Sequence, residues 1–176
     1  MKILYSLIAA SMFILIAAAC GSDGDSSDEG SRDVAASFSF EAFGNENFDK
    51  GQPISLDTFE GQPIVLNFWY PSCPPCRLEM PHFEAAFQTH KDEVAFVAIQ
   101  QLGLDSADEG QKFTDEFGLT YAVGADTSGT VIREYEVITF PTTIFLDADH
   151  TIVRKWAGPL NEEKLNELIE EILPAL

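Results

Sequence analysis

Two runs of apolar residues dominate the pattern of the chain. Ile64–Trp69 contains a single polar residue, and Val94–Ile99 contains none. Runs of this length, rich in β-branched and aromatic residues, are typical of strands buried on both faces of a parallel sheet. Between the runs, apolar residues recur at three- and four-residue spacing from Met80 to Phe87, which predicts an amphipathic helix over 74–90. Strand, helix and strand in this order predict a βαβ unit with parallel strands.

Shorter elements are predicted on both sides of this unit. Residues 37–43 alternate between polar and apolar, which indicates a half-buried strand, and Ile54–Leu56 is a second short strand. The elements predicted downstream are a helix between Ser106 and Gly118, a strand over 121–125, a helical turn over 131–135, strands over 142–146 and 152–156, and a helix after Asn161. This order predicts an α/β fold in which a central mixed sheet is flanked by helices and preceded by an N-terminal β-hairpin.

Residues 1–20 have the layout of an export signal. Lys2 precedes an apolar stretch, and three alanines precede Cys20. This segment resembles a bacterial lipoprotein signal, which is cleaved before a cysteine that then carries lipid. The resemblance implies lipidation of Cys20, and the alternative is an uncleaved transmembrane anchor that ends there. Either arrangement exports the rest of the chain.

The residues after Cys20 predict a tether followed by one folded domain. Residues 20–36 are rich in Gly, Ser and Asp and show no hydrophobic periodicity, as in flexible linkers. The expected boundaries are therefore a signal peptide over 1–19, a linker over 20–36 and a domain over 37–176. A length of 176 residues fits a single domain of this kind.

Charge excludes one class of partner. The chain carries 29 acidic residues against 10 Lys and Arg, a formal net charge of −19. Nucleic acid is excluded because its phosphates need a basic surface. The same charge argues against electrostatic docking to anionic lipid, so attachment to a membrane would depend on the lipid anchor.

The candidate chemistry is the Cys73-Pro74-Pro75-Cys76 motif, where the first buried strand meets the helix. A thiolate at a helix N-terminus is stabilised by unpaired N–H groups and by the helix dipole. A second Cys one turn away can resolve a mixed disulfide formed by the first. We expect Cys73 to be exposed and reactive, and Cys76 to be more buried and to act as the resolving thiol.

Other interpretations of the two cysteines have less support. A zinc site would need further ligands, and His82 and His90 lie two helical turns apart. Haem attachment needs a His directly after the second Cys, where this chain has Arg77. A purely structural disulfide remains open, although so short a loop stabilises little. We expect no metal and no cofactor.

Two segments resemble membrane-tethered thioredoxin-like proteins of the TlpA/ResA type. The first runs from Asn67-Phe68-Trp69 through the cysteine motif to Pro81, and the second is Phe140–Asp147, similar to the family's cis-proline loop and following strand. Phe117-Gly118-Leu119 also lies at a family position. The resemblance extends from Ser37 to the C-terminus and implies a thioredoxin-like fold and thiol–disulfide exchange.

The resemblance also implies roles for individual residues. Cys73 corresponds to the attacking thiol, Cys76 to the resolving thiol, and Pro141 to a cis-proline beside them. Glu79 matches a carboxylate that could assist proton transfer, and its alternative is a place on the solvated face of the helix. Asn67 stands where ordinary thioredoxins carry a buried acid.

The implied protein is an exported disulfide reductase, and the sequence leaves its substrate open. We expect a monomer, lipid-anchored on the outer face of the cytoplasmic membrane, with protein dithiols or disulfides as substrates and an upstream thiol donor. In cells with c-type cytochromes such proteins reduce the haem-attachment cysteines. Ser72 departs from the family, which commonly has Trp there, and this changes one wall of the substrate groove.

Two other functions on the same fold are alternatives. A peroxiredoxin-like peroxidase would need an Arg-supported peroxide pocket, for which Arg77 is the candidate. A copper-binding assembly factor would need a distant His that faces both Cys, and His150 lies in a predicted hairpin turn that we expect to be far from Cys73.

Overall fold

The computed structural model describes residues 33–174, in which seven strands and four α-helices form. The strands are β1 Ser39–Glu41, β2 Pro53–Ser55, β3 Ile64–Trp69, β4 Ala95–Gln101, β5 Ala122–Asp126, β6 Thr142–Leu146 and β7 Ile152–Ala157. The helices are α1 Pro74–His90, α2 Ala107–Phe117, α3 Thr130–Glu134 and α4 Glu162–Glu170, together with a 3-10 helix, Leu56–Phe59. Every predicted element is present, and the 3-10 helix was not predicted.

The main sheet is mixed, as the sequence predicts. Its strand order is β5-β4-β3-β6-β7, with β3 parallel to β4 and β4 parallel to β5. β6 is antiparallel to both β3 and β7. All six residues of β3 are buried, because β3 is central in the sheet and covered on both faces.

The two faces of the sheet carry separate apolar cores. On one face, alternate residues of β3 such as Val65 and Trp69 join a cluster with apolar residues of α1, α2 and α4. On the other face, Ile64, Leu66 and Phe68 join a cluster with the N-terminal hairpin and α3. The alternation of side chains along a strand produces this division.

The N-terminal residues of the domain contact both edges of the main sheet. β1 and β2 pair as an antiparallel hairpin, and Ala42 forms a bridge to Gly124 on β5. At the opposite edge, Val34 pairs with Thr151. The predicted boundary at Ser37 is therefore late, because the last residues of the predicted linker, 33–36, already contact the domain.

The predicted export signal and the lipidation site Cys20 lie outside the described residues. Within the described part of the chain, no helix has both the length and the apolarity needed to cross a bilayer. Most of the predicted linker also lies outside it.

Candidate active site

The cysteine motif occupies the turn from β3 into α1. The Cys73 N–H donates to the Tyr70 carbonyl at 3.1 Å, and Cys73 is the N-cap of the helix. Pro74 and Pro75 fill the first two helical positions, where a missing N–H costs nothing. The first free amide of α1 is then that of Cys76, which donates to the Cys73 Sγ at 3.2 Å. The Pro-Pro pair thus directs the first free amide of the helix at the reactive sulfur.

Cys73 and Cys76 are joined by a disulfide bond, and both residues are 0% exposed. The expectation that Cys73 is exposed is therefore wrong for this oxidised form. The bond holds the Cys73 sulfur against Cys76, which belongs to the apolar cluster formed with Trp69 and Met80.

Side chains of the β4–α2 segment hold the loop before the motif. The N–H and hydroxyl of Ser72 both donate to the same Asp105 oxygen, at 3.0 and 2.7 Å. The Trp69 ring stacks on Phe113 of α2 with centroids 4.3 Å apart. Asp105 is a site residue that the sequence did not reveal, because it lies 33 residues from its partner.

The predicted cis-proline loop lies beside this turn. The Phe140–Pro141 peptide bond is cis. Phe68 pairs with Thr142, so the antiparallel register places Pro141 at the end of β3 that leads into the motif. The Phe140 ring meets the Tyr70 ring edge-on at 5.3 Å. The two predicted segments are thus adjacent in the fold.

Glu79 is buried beneath the motif, one helical turn after Cys76. It is 1% exposed, so the alternative of a solvated helix face is wrong. Its Oε1 accepts a hydrogen bond from the Asn67 amide at 2.9 Å, and its Oε2 accepts one from the Leu160 N–H at 3.0 Å. The carboxyl therefore links β3, α1 and the segment before α4.

Burial raises the pKa of Glu79 to about 8, because a carboxylate loses hydration there. The hydrogen bonds from Leu160 and Asn67 favour the charged form and limit this rise. A carboxyl with this pKa titrates close to an ordinary thiol, near 8.5. Glu79 is thereby suited to give a proton to a thiolate or to take one from a thiol.

The structure weakens both other functions on this fold. The Arg77 guanidinium pairs with Glu116 and lies over the Phe113 and Phe117 rings, so it is directed at α2 and does not form a peroxide pocket. His150 lies beyond the far end of β6, and its Nε2 is 3.0 Å from the Phe59 carbonyl oxygen. A five-residue strand of about 17 Å separates that end from Pro141.

The described residues form no group near the cysteines that could bind a metal ion. In the range 33–174, no three His, Cys, Asp or Glu residues are grouped in a way that could hold a metal ion. His82 lies on α1 three residues after Glu79, and His90 at the end of α1 pairs with Asn166 of α4 at 3.1 Å.

Comparison with known proteins identifies relatives across most of the domain. The AhpC/TSA family model matches residues 32–155. The thiol-disulfide oxidoreductase ResA of Bacillus thuringiensis is 32% identical over 126 residues, 71% of this chain and 72% of that protein. The sporulation thiol-disulfide oxidoreductase A of Bacillus subtilis is 32% identical over 127 residues, 69% of this chain and 74% of that protein.

Solved structures agree in fold. The crystal structure of StoA from Bacillus subtilis superposes with a TM-score of 0.65 at 29% identity, covering 77% of this chain and 97% of that chain. A thioredoxin family thiol:disulfide interchange protein from Chlorobium tepidum gives 0.72 at 23% identity over 81% of this chain and 97% of that chain. The chain therefore belongs to the AhpC/TSA family and is a thiol–disulfide oxidoreductase with a thioredoxin-like fold.

Proposed function

We propose that the Cys73–Cys76 pair reduces disulfides of exported proteins and that Glu79 accepts the proton of Cys76 and returns it. The observation that supports this most strongly is the buried Glu79 carboxyl, one turn from Cys76, with a pKa of about 8. Placing an acid in an apolar core is costly. A catalytic task for the proton explains why the acid stands there.

The reaction is an exchange that moves two electrons from the reduced pair to the substrate. The Cys73 thiolate attacks one sulfur of the substrate disulfide, and the other substrate sulfur leaves as a thiolate. The Glu79 carboxylate takes the proton of the Cys76 thiol, and the Cys76 sulfur then attacks Cys73. This closes the Cys73–Cys76 disulfide and releases the second substrate sulfur.

Recycling runs in the opposite direction. A thiolate of the upstream donor attacks the Cys73 sulfur, and Cys76 leaves as a thiolate. Glu79 carries its proton in the oxidised protein at neutral pH, since its pKa lies near 8. It donates that proton to Cys76, which keeps the reduced pair from closing again at once.

Substrate recognition is assigned to the cis-proline loop. An extended substrate segment pairs with the backbone of Phe140, and Pro141 packs beside the sulfurs. The contact between the Phe140 and Tyr70 rings supports this role because it brings the loop to the turn before Cys73. In a cell that makes c-type cytochromes, the haem-attachment cysteines are the substrate class that we propose.

We further propose that lipid on Cys20 tethers the domain to the outer face of the cytoplasmic membrane. The support is the sequence of residues 1–20, together with a net charge of −19 that gives the domain no electrostatic affinity for anionic lipid. The protein acts as a monomer in this proposal.

Substitution of Glu79 tests the catalytic part of the proposal. Glu79→Gln should slow the reduction of a protein disulfide by about 10²-fold at pH 7, the lower end of the effect of removing a general acid–base. The measurement is the stopped-flow rate with insulin as the disulfide. Glu84→Gln is the matched control on α1, since the Glu84 carboxylate accepts its hydrogen bonds from Thr120 and not from residues of the candidate active site. Equal rates for Glu79→Gln and the parent would contradict the proposal.

A further inference from the structure

Four ionisable groups follow one another at every third position from the start of α1. They are Cys73, Cys76, Glu79 and His82. Groups three residues apart on a helix are neighbours, with Cβ atoms about 5–6 Å apart. Each step of three residues also turns about 60° around the helix axis, because a residue advances about 100°. The row therefore winds around α1, from the buried Cys76 and Glu79 to the half-buried His82.

A cleft at the surface connects the last two members of this row. Its volume is about 340 Å³, and Glu79 and His82 both line it. Leu78, which is 71% exposed, lies at its rim. Among the described residues, His82 has no hydrogen-bond or ion-pair partner.

Two buried polar atoms lack a hydrogen-bond partner, one on a residue bonded to Glu79 and one on a residue that lines the cleft. Asn67, Thr143 and Trp156 lie opposite one another on β3, β6 and β7, so their side chains share one face of the sheet. The Asn67 Oδ1 and the Trp156 Nε1 are both buried without a partner among the described residues. Trp156 lines the cleft, and Asn67 binds Glu79. Unpaired buried donors and acceptors of this kind are uncommon in folded proteins.

We propose that Glu79 exchanges its proton with solvent through this cleft and that the His82 imidazole carries it. The inference rests on the proposed function, in which Glu79 exchanges a proton with Cys76. It adds the step that prepares Glu79 for this exchange, since a carboxyl that is 1% exposed is poorly placed to exchange protons directly with bulk water. Imidazole is the side chain that changes protonation most readily near neutral pH.

The proton balance of the relay is simple. Before the resolving step, protonated Glu79 passes its proton to the His82 imidazole, and the imidazolium releases it to water. The resulting carboxylate takes the proton of the Cys76 thiol as the disulfide forms, and keeps it in the oxidised protein. On recycling, Glu79 gives that proton to Cys76 and is reprotonated from water through His82. No electron moves in these steps. His82 therefore changes how fast protons arrive and leave, and it leaves the equilibrium of the cysteine pair unchanged.

One other ionisable group faces the cleft within the described residues. The Lys164 ammonium from α4 lines it, lies 5.5 Å from the centre of the Trp156 ring and pairs with Glu167 at 2.6 Å. Its positive charge is engaged by these partners.

The test compares His82→Gln with His90→Gln in the full domain. His90 is the matched control because it lies on the same helix, outside the cleft, and pairs with Asn166. We expect His82→Gln to lower the rate of insulin reduction about tenfold at pH 7 and to leave the reduction potential of the pair unchanged. Added imidazole should restore most of the rate. His90→Gln should match the parent.

Two outcomes would overturn the relay. One is an unchanged rate for His82→Gln across pH 6–9. The other is a slower rate together with a shift in reduction potential large enough to account for it, which would show an effect on the equilibrium. Glu79→Gln separates this inference from the proposed function. If Glu79→Gln is slow while His82→Gln is normal, only the relay fails, whereas a fully active Glu79→Gln removes the role of Glu79 itself.

Discussion

Burial raises the pKa of the Glu79 carboxyl, which suits it to proton transfer. Burial of this carboxyl also lowers the stability of the folded protein. Its proton is held to a pKa of about 8 in the folded protein, whereas the same carboxyl titrates near 4.5 when solvated. Between these values the unfolded chain is ionised at Glu79 while the folded chain is not. The folded state binds more protons, so this residue makes unfolding easier as pH rises through that window.

We therefore expect the free energy of unfolding of the oxidised protein to fall between pH 5 and pH 8 because of Glu79. One pKa unit corresponds to about 1.4 kcal/mol, so the share of Glu79 is on the order of a few kcal/mol. Urea unfolding at the two pH values measures it, with the disulfide intact. Glu79→Gln should lose this share of the pH dependence. The same slope in parent and variant would refute the buried, protonated carboxyl.

Individual residues also show which features of the site the sequence can predict and which it cannot. The cysteines, Pro141 and Glu79 could be identified as candidates because each lies in a motif. The burial of Glu79 could not be predicted, since it depends on the Leu160 amide, 81 residues away in the chain. The same holds for Asp105, whose bond to Ser72 depends on a contact between two loops.

The helices and strands follow closely from local signals. α2 begins at the predicted capping box, in which Ser106 and Glu109 bond reciprocally, and ends at Gly118 in the left-handed conformation. The 3-10 helix after β2 was missed because it is only four residues long and shows no helical period. The packing of the N-terminal hairpin against the main sheet depends on contacts between residues far apart in the chain, so no local sequence pattern predicts it.

Substitution of Gly124 tests whether the N-terminal hairpin packs against β5. A Cβ there would lie 2.2 Å from a carbon of the Phe40 ring and 2.6 Å from the Glu41 carbonyl oxygen. Gly124→Ala should therefore displace the hairpin and cost about 1–3 kcal/mol in the free energy of unfolding, the usual range for overpacking. Guanidinium unfolding measures the change.

Gly44→Ala is the control for this substitution. Its added Cβ would meet the Lys50 side chain at 3.2 Å, which needs a shift of a few tenths of an ångström at most. We expect a clearly smaller loss of stability for Gly44→Ala. Equal unfolding midpoints for Gly124→Ala and the parent would show that the hairpin does not pack against β5 as described.

At the scale of the whole molecule, the fold places its chemistry at one end of the central strand, and the first described residues lie at an outer strand. The motif follows the last residue of β3, and the segment that enters from Asp33 pairs beside β7. The sequence predicted the mixed sheet because buried and alternating runs differ in pattern. Strand order and edge contacts could not be read from it.

Attachment to the membrane is the prediction at this scale. Cys20→Ser should leave a precursor that is neither cleaved nor lipidated, because the cysteine is both the cleavage signal and the lipid acceptor in the proposal. Metabolic labelling with palmitate, together with the gel mobility of the precursor, measures both properties. Cys20→Ser protein that is still shortened and still labelled would contradict the lipoprotein assignment.

The most direct test of the central claim is to trap the mixed disulfide in the exported protein. Cys76→Ser removes the resolving thiol, so a substrate attacked by Cys73 should stay covalently bound and be identified by mass spectrometry after non-reducing electrophoresis. Cys73→Ser is the matched control and should trap little or nothing. The account predicts adducts through Cys73, released by dithiothreitol, in the Cys76→Ser variant alone. Adducts formed mainly through Cys76 in the Cys73→Ser variant would reverse the assigned roles and contradict the account.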